Sequence, residues 1–592
     1  MRHALAVTTL LALSTQSLAQ PTGAALPPPP EWAQGAVWYQ VFPERFANAK
    51  SANDPSTPGT YTPAWTSDFY STTPLETESA WAGAAAWDRQ RRIHSTSSPI
   101  ARVIPFRRYG GDLQGVAARL DHLQSLGVTA IYLCPVFQAR SEHKYETSDH
   151  RHIDESLGNR GPARPVWSPD PLETADPATW RWTEADRFLV DVLIPEVHAR
   201  GMRIVLDGVW NHVGREHWAF QDVMRNGRSS PYADWFRVRF DADGRVVSWT
   251  GWDRTNGDLP EFAQTREGDL VAPVKAHIFA VTRRWMDPNN DGDPSDGIDG
   301  WRLDVAPDVG IAFWRDWHAL VKSINPEAVT IGEIWDPADR WIDAGCFDAQ
   351  MGYPVAMALL DWLRGNEDSS WLARRVERLI GDASAHDRTN MCLMSSHDTE
   401  RFASMLQNPG REYDAARGAV RGTVLASGEA YHAGRAAPET YDRVVLAFAI
   451  LTALPGSPML FQGDEFGMVG GDDPECRKPV PWPDLGPYDS PDDAPLVEMG
   501  ERLGAWLRLR SDPDLSGLLR FGDLTLHDSG DPDVLVIERR FEGRRAVLVA
   551  NRGDGAFDAG SMPALSGLSG VGAASTDGRS VPPRSAGLWV GR

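Results

Sequence analysis

The feature that most narrows what this chain can fold into is a repeated order: a short β-branched or apolar run, then a stretch of helical periodicity. AVWYQVF, TAIYLCPVF, MRIVLDGVW, GWRLDVA, AVTIGEIW, NMCLMSS and SPMLFQG read as buried strands. DLQGVAARLDHLQSLG, EADRFLVDVLIPEVHARG, FWRDWHALVKSIN and YDRVVLAFAILTALPG read as the helices between them. Strand-then-helix order implies parallel pairing, and seven or eight such units in one domain favour a closed (β/α)8 barrel over an open sheet. The α/β TIM barrel is expected over residues 36–512.

Two connections inside that span are long. Residues 47–108 separate the first strand from its helix, and residues 211–274 separate the third strand from its own. Connections of that length in a compact domain are usually lids or small subdomains, so a loop subdomain is expected over 211–274 at the C-terminal rim. From about Gly517 the pattern turns to alternating strands, as in DVLVIERRFEGRRAVLVANRGD with a short turn at Glu542 to Arg544. Residues 513–592 are therefore expected to form a C-terminal antiparallel β-sandwich domain.

At the other end, Arg2 precedes an apolar run from Ala4 to Leu13, and Ser17-Leu18-Ala19 places small residues at the cleavage positions. This is the pattern of a signal peptide over residues 1–19, followed by a proline-rich linker over 20–35. No other run reaches the roughly 18 apolar residues that a bilayer span needs. The expectation is an exported protein, periplasmic or extracellular, without a membrane span. Cys134, Cys346, Cys392 and Cys476 are too far apart for a disulfide framework or a zinc pattern to be expected. The formal charge of −22 carries no basic stripe, which argues against a nucleic-acid partner.

Several predicted strands end in charge. Strand three gives Asp207 with Asn211 and His212, strand four Arg302 and Asp304, strand five Glu333, and strand seven His397 and Asp398. In a (β/α)8 barrel those ends converge on one mouth. A single carboxylate there is ordinarily a helix cap or a salt bridge, but several on successive strands repel one another unless chemistry needs them. Retaining glycoside hydrolysis needs one ionised and one protonated carboxyl, roughly 5 to 5.5 Å apart. Arg302 is expected to hold Asp304 ionised, and Glu333, among Ile331, Ile334 and Trp335, to keep a raised pKa.

The blocks DGVWNH (207–212), GWRLDVA (300–306), GEIW (332–335) and SSHDTER (395–401), with VWYQVFPERFAN, YGGDLQGV, HKYETSD and GSPMLFQGDEFGM around them, resemble glycoside hydrolase family 13, the α-amylase family. The likeness covers nearly the whole mature chain and is nearest in motifs to the neopullulanase and cyclomaltodextrinase branch. It implies Asp304 as nucleophile, Glu333 as acid/base and Asp398 as the third carboxylate. It also implies Tyr145, Asp149, His212, Arg302, His397 and Arg401 as substrate-binding residues, with Asp207 and Asn211 structural. The implied activity is hydrolysis of α-1,4 or α-1,6 bonds in maltooligosaccharides, starch, pullulan or cyclodextrins. A transferase or isomerase of the family, of sucrose or trehalose type, and a non-catalytic glucan-binding uptake component remain the alternatives. About 16 mature residues precede strand one, so the N-terminal β domain usual in that branch is not expected and the oligomeric state stays open. No organic cofactor is implied. DPNNDGDPSD spaces Asp287, Asn289, Asp291 and Asp293 as an EF-hand opening does, which makes Ca2+ a candidate ligand, although the twelfth position is Ile298.

Overall fold

The computed structural model describes residues 27–54, 60–74, 76, 103–104, 107–158, 172–252, 257, 259–411, 413–414, 421–425, 428–571 and 579–592. The expected signal peptide lies outside the described residues.

Eight parallel strands form one sheet: β1 (Trp38–Val41), β2 (Ala130–Leu133), β3 (Arg203–Gly208), β4 (Gly300–Leu303), β5 (Val329–Gly332), β6 (Ala349–Gln350), β7 (Met391–Leu393) and β8 (Ser457–Phe461). Their order is β6-β5-β4-β3-β2-β1-β8-β7. The parallel bridge Met351↔Met391 joins the two ends, and the Gly352 N–H donates to the Met391 carbonyl at 2.8 Å. The sheet is thus a closed barrel. Covered by helices outside and side chains inside, its strands carry near-continuous apolar runs, which is why seven of them were legible as such. Strand β6 was not, because two residues beside Asp348 are too short to make a run.

The helical stretch after β2 begins at a capping box, in which Thr183 and Asp186 satisfy each other's backbone N–H groups. It then loosens into a π-turn over Leu189–Leu193, directly ahead of Pro195, whose ring lacks an N–H and crowds the carbonyl four residues back. After β3 the chain builds the expected subdomain from the helix Trp218–Asn226 and a small antiparallel hairpin, Val238–Phe240 with Val246–Trp249.

The C-terminal segment forms β9 (Asp523–His527), β10 (Val534–Phe541), β11 (Arg544–Asn551), β12 (Ser569–Val571) and β13 (Ser585–Gly591), an antiparallel sheet ordered β9-β10-β11-β13-β12. Glu542 and Gly543 turn the β10–β11 hairpin with φ of 49° and 77°, the backbone that a two-residue type I′ turn demands. Side chains alternate across this sheet. Leu535, Ile537, Ala546 and Leu548 join the barrel's core, whereas Val534, Val536, Val547 and Trp589 pack beneath Leu565 and Val581 on the outside. Among the described residues that outer layer contains one two-stranded ladder, Phe557–Asp558 with Ser580–Val581.

The end of the proline-rich segment is packed against the barrel. Ala33 is buried, Trp32 donates from Nε1 to the Glu327 carbonyl at 2.8 Å, and the Gly35 N–H reaches the Arg388 carbonyl at 2.8 Å. The four cysteines are free thiols buried in the fold. No described helix is long and apolar enough to cross a membrane.

Candidate active site

Arg302 is the hub of the barrel's C-terminal mouth. It lies opposite Asp207 in the β3–β4 register, and its side chain is fully buried. Nη1 donates to both Asp207 oxygens at 2.9 Å and to Asp304 Oδ1 at 3.1 Å. Nη2 stands 3.0 Å from Glu333 Oε2, as an ion-pair contact rather than an aligned hydrogen bond. One cation thus serves three buried carboxylates. Burial and the neighbouring Glu333 charge push Asp304 well above the ordinary aspartate range, and Arg302 only partly opposes them. This corrects the expectation that Arg302 holds Asp304 ionised: its charge is divided among three carboxylates. Burial likewise raises Asp207 against the pull of Arg302 and of the Tyr132 hydroxyl, which donates at 2.5 Å.

Glu333 has Trp335, one of its expected apolar neighbours, in contact, and it also has polar partners. Its Oε2 accepts the Val305 N–H at 2.8 Å, and its Oε1 accepts the Trp335 indole N–H at 3.2 Å. Val305 itself has φ +38° and ψ 46°, a left-handed backbone that a β-branched residue adopts only under constraint, and the constraint sits directly after Asp304.

On the facing side, Tyr145 stacks on His397 with centroids 5.2 Å apart and planes 4° from parallel. The Tyr145 hydroxyl donates to Asp207 Oδ2 at 2.8 Å and lies 2.5 Å from His397 Nε2. Burial pushes the His397 imidazole well below its usual range, with Arg477 and Arg302 adding to the effect, so it is neutral. Asp398 is the most open of the three carboxylates, with 30% of its side chain exposed. It meets His397 Nε2 and Arg477 Nη2 at 3.1 Å each. His212 is also neutral, lowered to about 3 by burial. Asn211 Nδ2 lies 3.3 Å from its Nδ1, while its Nε2 is buried with no partner among the described residues. Its ring stacks on Trp252, whose indole N–H donates to Asp308 Oδ2 at 2.8 Å and ties the loop subdomain to the turn after β4.

The structure therefore brings together Asp304, Glu333, Asp398, Arg302, Tyr145, His397 and Asp207, with His212 and Asn211 alongside. It removes two predicted substrate contacts. Asp149 is clamped by Arg151 through Nε at 2.7 Å and Nη2 at 2.6 Å; burial would raise its pKa, but the guanidinium overcomes that and lowers it. Arg401 is fully buried and donates to the Cys476 and Gln462 carbonyls at 2.8 and 2.6 Å and to Asp464 at 3.1 Å, so it fastens loops instead of meeting a sugar.

The residues of the expected calcium loop do not fit an EF-hand cage. Asp287, Asn289, Asp291 and Asp293 accept N–H groups of their own loop, and Ile298, at the closing position, is buried in the core. The one convergent set of metal-ligand types among the described residues is Asp149, His152 and Glu173. Cations already fill it: Arg151 holds Asp149, and His152 lies 2.7 Å from Glu173 and 2.8 Å from Asp186. Despite burial, those two carboxylates raise His152 to about 10, so it is an imidazolium.

Residues 40–165 and 186–431 match the family described as "Alpha amylase, catalytic domain". The chain belongs to the α-amylase family. It is 33% identical over 459 residues to neopullulanase 2 of Thermoactinomyces vulgaris, which covers 76% of this chain and 60% of that protein. It is 32% identical to a cyclomaltodextrinase of Geobacillus thermopakistaniensis, over 76% of this chain and 59% of that one. The chain thus spans about 60% of the length of these curated relatives. Among solved structures, the cyclic α-maltosyl-(1→6)-maltose hydrolase of Arthrobacter globiformis superposes with a TM-score of 0.66 at 27% identity, covering 95% of this chain and 100% of that one.

Within this α-amylase-family site, three residues escaped the reading of the sequence. Gln40 donates from Nε2 to His397 Nδ1 at 2.7 Å. Tyr132 and Arg477 hold Asp207 and Asp398. Gln40 did leave a signal, a lone polar residue in the buried run WYQVF. Arg477 lies in DPECRKPVPW, a block similar to the family's, but only the fold brings that loop after β8 beside the end of β7.

Proposed function

We propose that the protein is a retaining α-glucan hydrolase, acting on maltooligosaccharides, starch fragments, pullulan or cyclodextrins through a covalent glycosyl-enzyme intermediate. The observation that carries this reading is Arg302 joining Asp207, Asp304 and Glu333 at one barrel mouth. A retaining site needs two carboxyls facing one bond, one as nucleophile and one as acid/base, and Asp304 and Glu333 are drawn to the same guanidinium. Asp304 attacks the anomeric carbon, Glu333 protonates the departing oxygen and later deprotonates water, and Asp398 holds sugar hydroxyls. Tyr145 offers its ring to the sugar's C–H face. The names of the relatives, neopullulanase and cyclomaltodextrinase, support this substrate class. The N-terminal apolar run supports export.

The test is product chromatography with maltoheptaose, pullulan and β-cyclodextrin, run on the wild type and on Asp304→Asn, with the anomer of the first product followed by NMR. Short α-configured products from the wild type are expected, with a loss of at least about 10³-fold in Asp304→Asn, since a nucleophile and its charge are removed together. Products of β configuration, or full activity in Asp304→Asn, would rule the mechanism out. No product from any of the three substrates would favour the sucrose- or trehalose-type alternatives or a binding protein.

A further inference from the structure

The two oxygens of Glu333 are held differently. Oε2 faces the Val305 N–H at 2.8 Å and the Arg302 guanidinium at 3.0 Å. A hydroxyl hydrogen placed on that oxygen would compete with a donor fixed by strained backbone and with a positive charge. Oε1 has one hydrogen-bond partner among the described residues, the Trp335 indole N–H at 3.2 Å.

The indole is itself held. Its rings stack on Tyr353 with centroids 3.9 Å apart and planes 7° from parallel. Tyr353 is buried, and its hydroxyl lies 3.1 Å from Ser396 Oγ, which accepts the Asp398 N–H at 3.2 Å. A single chain of contacts, Glu333–Trp335–Tyr353–Ser396, thus connects the acid on β5 to the carboxylate loop after β7.

We propose that Trp335 is a positioning residue for the acid step: its indole N–H fixes Oε1 of Glu333 as the oxygen that delivers and recovers the proton. The inference deepens the retaining-hydrolase reading and rests on it. In the first half-reaction, the proton on Oε1 passes to the glycosidic oxygen as its bond to the anomeric carbon breaks and an Asp304 oxygen bonds to that carbon. The Oε1 hydroxyl oxygen accepts the indole N–H throughout, which turns its own hydrogen away from the indole. In the second half-reaction, water attacks the anomeric carbon, the Asp304 ester bond breaks, and the water's proton returns to Oε1.

The experiment compares the wild type, Trp335→Phe and Glu333→Gln on two substrates: maltoheptaose, whose leaving group needs protonation, and α-maltosyl fluoride, whose leaving group does not. Phenylalanine keeps an aromatic ring against Tyr353 and removes the N–H together with part of the indole. Trp335→Phe is expected to lose about tenfold in kcat on maltoheptaose with KM within about twofold, the size of one hydrogen bond of about 1 kcal/mol or somewhat more. On the fluoride its kcat/KM, which reports the glycosylation step alone, is expected to stay within about twofold of wild type. Its alkaline limb for kcat/KM on maltoheptaose should move to higher pH, because the carboxylate loses a donor. Equal losses in kcat/KM on both substrates, or a rise in KM alone, would make Trp335 an ordinary cleft contact and overturn the proposal. Full activity of Glu333→Gln on maltoheptaose would instead overturn the assignment of the acid itself, and the inference with it. Tyr353→Phe, which keeps the ring and frees Ser396, is the second variant: it should reproduce the same substrate selectivity in weaker form, and wild-type behaviour would break the proposed link to the Asp398 loop.

Discussion

His397 has two ring nitrogens and, being neutral, one proton between them; strand β1 decides where it sits. Gln40 Nε2 can only donate, so Nδ1 accepts it at 2.7 Å and the proton is on Nε2, facing the Tyr145 oxygen at 2.5 Å and Asp398 Oδ2 at 3.1 Å. Gln40→Glu places an acceptor where the donor was and draws the proton to Nδ1. Its kcat/KM on maltoheptaose should fall by about 10- to 100-fold, the loss of one buried donor worth about 1–3 kcal/mol. Unchanged kinetics would show that the tautomer is immaterial. At this scale the sequence was readable where charge interrupts an apolar strand, as at Arg302, Asp304 and Glu333. It misled where a charge already has a partner. Asp149 is claimed by Arg151 two positions on, and Arg401 by carbonyls at 462 and 476, which no local pattern announces.

The elements that dock the loop subdomain share a different chemistry: His150, His217 and His277 are all buried among aromatic rings. Burial lowers His150 to about 4, His277 to about 3 and His217 well below its usual range. Asp149 pulls each of them up and Arg151 pushes each down, and the rings also repel one another's charge. A histidine whose folded pKa is depressed takes up a proton on unfolding, so its stabilisation is present above about 6.5 and is lost as pH falls below that. Asp464, raised to about 6 by burial, acts in the opposite sense over part of this window, so the informative quantity is a difference between variants. His277→Leu should shrink the loss of unfolding free energy between pH 7 and pH 5 by about 2 kcal/mol relative to wild type, read from urea denaturation at the two pH values. An equal pH dependence in both proteins would remove His277 from the account. His152 titrates elsewhere: its raised pKa makes its contribution complete below about 6.5 and lost as pH rises through about 10. None of this was legible in the sequence, because a histidine in an apolar context says nothing of which rings will enclose it. The hairpin turn at Glu542-Gly543, by contrast, was visible because its backbone requirement is local.

Across the whole molecule, the barrel's two ends differ, with the carboxylates gathered by Arg302 at the C-terminal rim and cohesion at the other. The helix Pro438–Ala453 runs down to that second end, where its last carbonyls would be buried without partners. Two buried arginines supply them, one from each domain. Arg510, at the end of the barrel, donates to the carbonyls of Leu451, Thr452, Leu454 and Gly456 at 2.7 to 2.9 Å. Arg539, on β10, donates to those of Ala453 at 2.8 Å, Leu519 at 3.0 Å and Gly522 at 2.6 Å. Their hydrogen-bond partners are carbonyl oxygens instead of carboxylates, and burial lowers Arg510 to about 9 and Arg539 well below the usual arginine value. The negative end of the helix dipole is what stabilises cations there. Since the proposed catalytic carboxylates lie at the opposite end of the strands, Arg539→Met should separate stability from catalysis. Its unfolding free energy should drop by about 3 kcal/mol as carbonyls lose their donor, while kcat and KM, measured well below the melting transition, stay at wild-type values. A variant that melts normally would mean that apolar packing of Leu535, Ile537 and Leu548 alone holds the C-terminal sheet to the barrel. A variant that melts early and also loses kcat in the cold would mean that the sheet braces the active-site rim through the length of β8.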